Sequence, residues 1–196
     1  MLSENFVFVS VLLNTLGVTG YFVATLRGRS KPNRVTWLLW ALAPLIGFFA
    51  QLGEGVGIQA LLTFAVGFGP LMVFAASFAN RETAWRFTRL DVICGSLSIV
   101  GLVLWAITRE GLIAIALTIA ADGLAALPTF IKAARFPDTE HPWAFWMGAT
   151  GALLTVMTLD SWSFDTSGFP IYLVLMNTSL AGVITFGSAA SRASSA

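Results

Sequence analysis

The chain has 196 residues, of which 57% are hydrophobic and only 11% charged, with a formal net charge of +1. At a mean hydropathy of +0.81 it lacks the polar residues to cover a water-soluble globule of this size, so an all-α integral membrane protein is expected, with the lipid bilayer as a partner and nucleic acid excluded as one. The single cysteine, Cys94, lies in an apolar segment and excludes an intramolecular disulfide or a cysteine metal cluster.

The first apolar stretch, 6–26, has no positive segment before it and runs the full width of a bilayer, which predicts a retained span rather than a cleaved signal peptide. Further spans are predicted at 35–52, 58–78, 92–108, 111–134, 143–159 and 169–190. Each is about long enough to cross at roughly 1.5 Å per residue, with tilt absorbing the differences. The connections are short and polar: RGRSKPNR, GEGVG, ANRETAWRFTRLD, RE, RFPDTEHP and DSWSFDTSG. Seven spans leave no room for a soluble domain, and the function must sit in the bundle or its mouths.

Basic residues set the orientation. Arg27, Arg29, Lys31, Arg34, Arg81, Arg86, Arg89, Lys132, Arg135 and Arg192 fall on one side and Arg109 on the other. This predicts an outside amino terminus and a cytoplasmic carboxyl terminus in a bacterial plasma membrane. Trp37, Trp40, Trp85, Trp143 and Trp146 are expected in an inner interfacial belt, Trp105 and Trp162 in an outer one.

The chain also repeats itself. NTLGVTGYFVATLRGRSKPNRVTWLLW, starting at Asn14, aligns with DGLAALPTFIKAARFPDTEHPWAFW, starting at Asp122. Asn14 then matches Asp122, Arg27 matches Arg135, and Trp37-x-x-Trp40 matches Trp143-x-x-Trp146, with a two-residue gap in the loop. FAASFANR at the end of span three matches FGSAASR at the end of span seven. The expected organisation is a three-helix repeat at 1–90, a linker helix at 91–108 and a second three-helix repeat at 109–196. Parallel repeats about an axis along the membrane normal, with polar residues at mid-depth, predict a transporter working by alternating access.

Asp122 stands out because it has only uncharged residues from 111 to 121 before it and from 123 to 131 after it, which places it near the bilayer midplane. A carboxylate there costs at least about a few kcal/mol, so such residues face a cavity, carry a proton or hold a substrate; the alternative is an aspartate that only joins helices. Pro128 and Gly123 predict a bend beside it. The expected substrate-binding set is Asn14, Thr118, Asp122, Asn177 and Thr178, suited to a small neutral or cationic solute. Asp122 either couples transport to protons or binds a cation directly. Pro44, Pro70 and Pro128 are candidate hinges, and Arg27 and Arg135 are expected to close the cytoplasmic mouth through ion pairs with Asp138 and Glu140.

The three-one-three layout, the outside amino terminus, and a proline followed by a basic residue and a short Pro/Glu loop resemble the SWEET and PQ-loop transporter superfamily. Pro128-Thr129 and Lys132 occupy the places of that family's proline dipeptide and loop lysine, whereas the first repeat carries Gly20-Tyr21 instead. The resemblance implies a central cavity and transport of a small polar solute such as a sugar, an amino acid or a vitamin. It also implies an asparagine on the third helix of each repeat in a sugar carrier, and Asn177 alone fits, since 65–69 offers none. Bacterial vitamin transporters of the nicotinamide-riboside type are similar in layout, but the spacing of the two tryptophan pairs is not theirs.

Other classes fit less well. A retinal receptor needs a lysine deep in its last span, and the lysines here are Lys31 and Lys132. His141, the single histidine, lies in a loop with Asp138 and Glu140 and has no second histidine for a metal. No catalytic set, metal or cofactor is expected. The alternative to a carrier is a ligand- or pH-sensing receptor of the same fold, and assembly with further copies of the chain is left open.

Overall fold

Long apolar runs with no water to satisfy their backbone groups have one economical form, the α-helix, in which every internal N–H finds a carbonyl four residues back. In the computed structural model, which describes residues 6–53, 59–79, 85–108, 111–159 and 162–194, these runs form seven α-helices and no strand among the described residues. They are α1 (Phe6–Leu26), α2 (Arg34–Gly53), α3 (Gln59–Ala76), α4 (Arg89–Thr108), α5 (Gly111–Arg135), α6 (Pro142–Met157) and α7 (Phe164–Ser194), with a 3-10 turn at Pro137–Thr139 before α6. Phe8–Leu26, Ile115–Arg135 and Thr166–Ala193 are long and apolar enough to cross a membrane. Large apolar side chains such as Phe8, Leu12, Ile107 and Phe186 are more than half exposed on the outside of the bundle. A surface of this kind belongs against lipid, and the chain is a helical membrane protein.

Local chemistry sets the helix ends. α1 stops because Gly28 takes a φ of 73°, and the Arg29 N–H then reaches back to the Ala24 carbonyl at 2.8 Å. Glycine adopts that left-handed conformation without the steric cost a Cβ would bring. Asn33 starts α2, its Oδ1 accepting from the N–H groups of Val35 (3.0 Å) and Thr36 (3.2 Å). α4 begins three residues earlier than its apolar run because Thr88 and Asp91 cap each other's N–H groups. Asn33 Nδ2 also donates to Asp91 Oδ1 at 2.5 Å, which ties the start of α2 to the start of α4. The start of α7 likewise lies inside the polar stretch DSWSFDTSG, where the Ser163 carbonyl accepts from the Ser167 N–H at 2.9 Å.

Packing follows the small residues. α3 touches both α1 and α2, α7 touches both α5 and α6, and these two groups meet where α1 packs on α6 and α2 on α5. α4 lies against α5 and α2, with Val92, Ile93, Val103 and Ile107 facing outward. α1 and α6 approach closely at Gly17, where a Cβ would sit 2.7 Å from Met147 Cβ and 3.1 Å from the Ala144 backbone. Small residues at crossings let backbones approach and gain van der Waals contact without any hydrophobic drive between helices in lipid. Pro128 interrupts the hydrogen bonding of α5. Beside it the Thr36 hydroxyl on α2 donates to the Ala125 carbonyl at 2.6 Å and accepts from Thr129 at 3.0 Å, so a neighbouring helix satisfies the polar groups around the interruption.

Candidate functional site: a central cavity with one carboxylate

All seven helices contribute to a cavity of about 390 Å³. The proline in each of α2 and α3, Pro44 and Pro70, lines it, as do Asn14, Thr118, Asp122 and Asn177 from the expected polar set. Among the described residues no lysine, arginine or histidine does. Asp122 is therefore the single charged side chain in its wall. Tyr172 on α7 donates its hydroxyl to Asp122 Oδ2 at 2.8 Å. The Trp40 indole N–H is directed at the same carboxylate without reaching full hydrogen-bond geometry. Asn177 donates to the Leu173 carbonyl of its own helix at 3.0 Å and rests its Oδ1 against Gly148, where a Cβ would come within 2.8 Å. A glycine at 148 thus makes room for the amide.

The rest of the wall is aromatic and aliphatic. Trp37, Trp40, Phe145 and Phe169 line the cavity. Trp37 and Trp40 meet edge to face at 5.4 Å, and Phe145 lies 6.5 Å from Trp37 and 6.3 Å from Trp40. Trp37 is only 2% exposed, so Trp37 and Trp40 do not belong to an interfacial belt as their position in the sequence suggests. Trp143 and Trp146, their expected counterparts, are at the surface. The phase of α2 turns Trp37 and Trp40 inward, while the phase of α6 turns Phe145 inward and both tryptophans out.

Toward the ends of α1 and α5 the cavity is closed. Tyr21 packs on Trp37 at 4.5 Å and edge-on to Phe145 at 6.2 Å. Its hydroxyl donates to Glu140, whose other oxygen pairs with Lys132 Nζ at 2.6 Å. Lys132 also donates to the Lys31 carbonyl, and the Lys31 N–H donates to the Thr139 carbonyl at 2.8 Å. Lys132 and Glu140 are 2% and 5% exposed, and the Trp85 ring lies 4.8 Å from the ammonium. The latch thus ties the loop after α1 to the loop after α5. The chain has two tyrosines, and each donates to a carboxylate: Tyr172 to Asp122 in the cavity and Tyr21 to Glu140 in the latch. His141 follows Glu140 with its imidazole half-buried edge-on to Tyr21 at 6.3 Å, and burial holds its pKa below the ordinary histidine value.

The structure brings most of the expected set together and corrects the rest. Thr178 is exposed on the other face of α7 and does not line the cavity, because Asn177 beside it takes the inward position. Pro128 is buried within α5 and lies away from the cavity wall. Arg27 and Arg135 are exposed and form no ion pair among the described residues; Glu140 is taken by Lys132, which the turn of α5 points inward, and Asp138 is exposed. Arg81 and Arg109 of the charge pattern lie outside the described residues. Phe145 and Tyr172 are positions that the pattern of the sequence did not single out, while Trp40 was expected in the interfacial belt and Glu140 as a partner of Arg27 and Arg135 rather than of Lys132. For Tyr172 the signal was its rarity, as one of two tyrosines in the chain. No protein-family model, curated protein or solved structure matches the chain.

Proposed function

We propose that this protein is a transporter of a small polar solute that works by alternating access, with seven spans in a three-one-three layout like that of the SWEET and PQ-loop superfamily. The observation that carries the proposal is the central cavity with its lone carboxylate, walled by every helix and latched shut at one end. A structural core would fill such a space with side chains, whereas a carrier needs it.

The helix contacts support the duplication. A shift of 108 residues, the separation of Asn14 from Asp122, turns the contact of Gly17 with Ala144 into one of Ala125 with Thr36, and Thr36 does bond the Ala125 carbonyl. The same shift pairs Trp37 with Phe145, which are both buried at the centre. The repeat is then best aligned without the two-residue gap that pairs the tryptophans. A pseudo-twofold axis passing between α1·α6 and α2·α5 runs through the cavity, where alternating motions of the two halves expose it to either side.

With the amino terminus outside, the latched end is cytoplasmic, and the cavity extends from it toward the outer ends of α2, α3 and α7 at Gly47, Thr63 and Phe169. Opening inward requires Tyr21 to leave Glu140 and Lys132 to leave the Lys31 carbonyl, since both bonds join the first half to the second. Asp122, held by Tyr172, is the group a substrate or a proton would meet. Uptake into proteoliposomes tests the proposal: saturable, trans-stimulated flux that depends on Asp122 supports a carrier, while binding without flux identifies a receptor.

A further inference from the structure

We infer that the solute is a small organic monocation with an apolar or aromatic body and no carboxylate of its own. The inference rests on the reading of the cavity as a transport site and names what fills it.

Among the described residues Asp122 is the single charged side chain in the cavity wall, and Tyr172 and Trp40, the groups turned toward it, are neutral donors. A carboxylate on a membrane-spanning helix without a counter-charge is costly, so an occupant that brings one positive charge is favoured over a neutral one. A zwitterionic amino acid would bring a negative group as well, and among the described residues the wall has no basic side chain to receive it. An anion would meet the Asp122 carboxylate and no cationic side chain among the described residues of the wall.

The remaining wall decides between an inorganic and an organic cation. Hard metal cations want six or more oxygen ligands, carboxylates prominent among them, whereas the side-chain oxygens here, on Asn14, Thr63, Ser98, Thr118, Asp122 and Asn177, are spread over five helices with one carboxylate among them. The side chains of Trp37, Trp40, Phe145 and Phe169 supply instead an aromatic lining. Aromatic faces attract alkylammonium and pyridinium groups through their quadrupoles and bury the apolar remainder of such a molecule. A cavity of about 390 Å³ suits a ligand of small-metabolite size. Asn14 and Asn177 in the same wall offer amides to a hydroxyl or carbonyl on the same molecule.

The test uses the purified full-length protein in detergent and in proteoliposomes. Phenethylammonium, choline and 1-methylpyridinium are titrated against tryptophan fluorescence and thermal stability, with 2-phenylethanol, L-phenylalanine and D-glucose as matched neutral and zwitterionic controls. At least one of the three cations should bind saturably, and the comparison of phenethylammonium with 2-phenylethanol and L-phenylalanine should favour the cation by about tenfold or more, as a charge-assisted contact requires. Asp122→Asn should weaken cation binding by a similar factor. Should that variant fail to fold, the comparison of phenethylammonium with its neutral isostere in the wild-type protein decides the question. Binding by none of the three cations, or equal binding of phenethylammonium and 2-phenylethanol, overturns the inference. Flux separates it from the reading beneath: saturable uptake of glucose without uptake of cations leaves a carrier with the wrong substrate class, whereas cations that bind and do not cross leave the substrate class and remove the carrier.

Discussion

Glu140→Gln should open the latched end. In the wild type Glu140 pairs with Lys132 at 2.6 Å and accepts from Tyr21. The glutamine keeps an acceptor for the tyrosine but removes the negative charge, leaving an ammonium that is 2% exposed with the Lys31 carbonyl and the Trp85 ring beside it but no counter-charge. Breaking a buried pair by removing one member costs about 3 to 5 kcal/mol. At about 1.4 kcal/mol per factor of ten, the latched arrangement loses at least about a hundredfold in population against one in which Lys132 reaches water. Ser30→Cys is a suitable reporter, since Ser30 is 1% exposed, lies in the loop the latch covers, and has a hydroxyl with no hydrogen-bond partner. In a Cys94→Ala background, a membrane-impermeant maleimide added on the side of that loop should label the cysteine at least about a hundredfold faster in Glu140→Gln, if opening is fast relative to reaction. Adding Lys132→Met removes the orphaned charge and should restore slow labelling, because neutralising both members of a buried pair is far less disruptive than removing one. Wild-type labelling rates in Glu140→Gln, or a double variant as fast as the single one, would refute the latch.

Gly17→Val should lower stability by about 1 to 3 kcal/mol, since its branches enter a crossing where even a Cβ lies 2.7 Å from Met147. Gly20→Ala, whose Cβ finds its nearest neighbour at 3.5 Å, should change little, and equal melting temperatures in detergent would contradict the α1–α6 packing. Thr36→Val removes the donor to the Ala125 carbonyl and the acceptor for Thr129, which should cost about 1 to 3 kcal/mol; an unchanged melting temperature would show that the groups around Pro128 need no help from α2. His141 has a pKa lowered by burial, so below the ordinary histidine value of 6.5 the unfolded chain binds a proton that the folded chain resists, and stability falls as pH is lowered. Melting followed from about pH 7.5 to about pH 5.5 should show that loss in the wild type and less of it in His141→Gln, and identical profiles would remove His141 from the account.

Much of the bundle was legible because hydropathy reports what a bilayer demands. The expected span 6–26 coincides with α1, and 111–134 stops one residue short of α5. Misses fell where polar residues extend helices beyond the apolar zone: Thr88–Asp91 cap α4 before its expected start, and α7 begins at Phe164 within a stretch that reads as loop. Asp122, Asn14 and Asn177 could be placed together because polar residues inside apolar spans have few places to go. Which way an aromatic faces could not, because α2 and α6 are apolar around most of their circumference and the periodicity that would show an inner face is weak. The Lys132–Glu140 pair was missed for a different reason. Counting Lys132 with the loop cations assumed that it reaches water, and only the packing of α5 against the neighbouring loops shows that it turns inward.

The claim that one cavity serves both faces of the membrane is tested most directly by a single cysteine inside it. Ala43 lines the cavity on α2, and Ala43→Cys in a Cys94→Ala background makes a small change there. Impermeant maleimide applied separately to right-side-out and inside-out vesicles should modify Cys at 43 from both sides, with Glu140→Gln shifting the balance toward the side of the 27–33 and 136–141 loops. Modification from one side alone, in the wild type and in Glu140→Gln alike, would contradict alternating access.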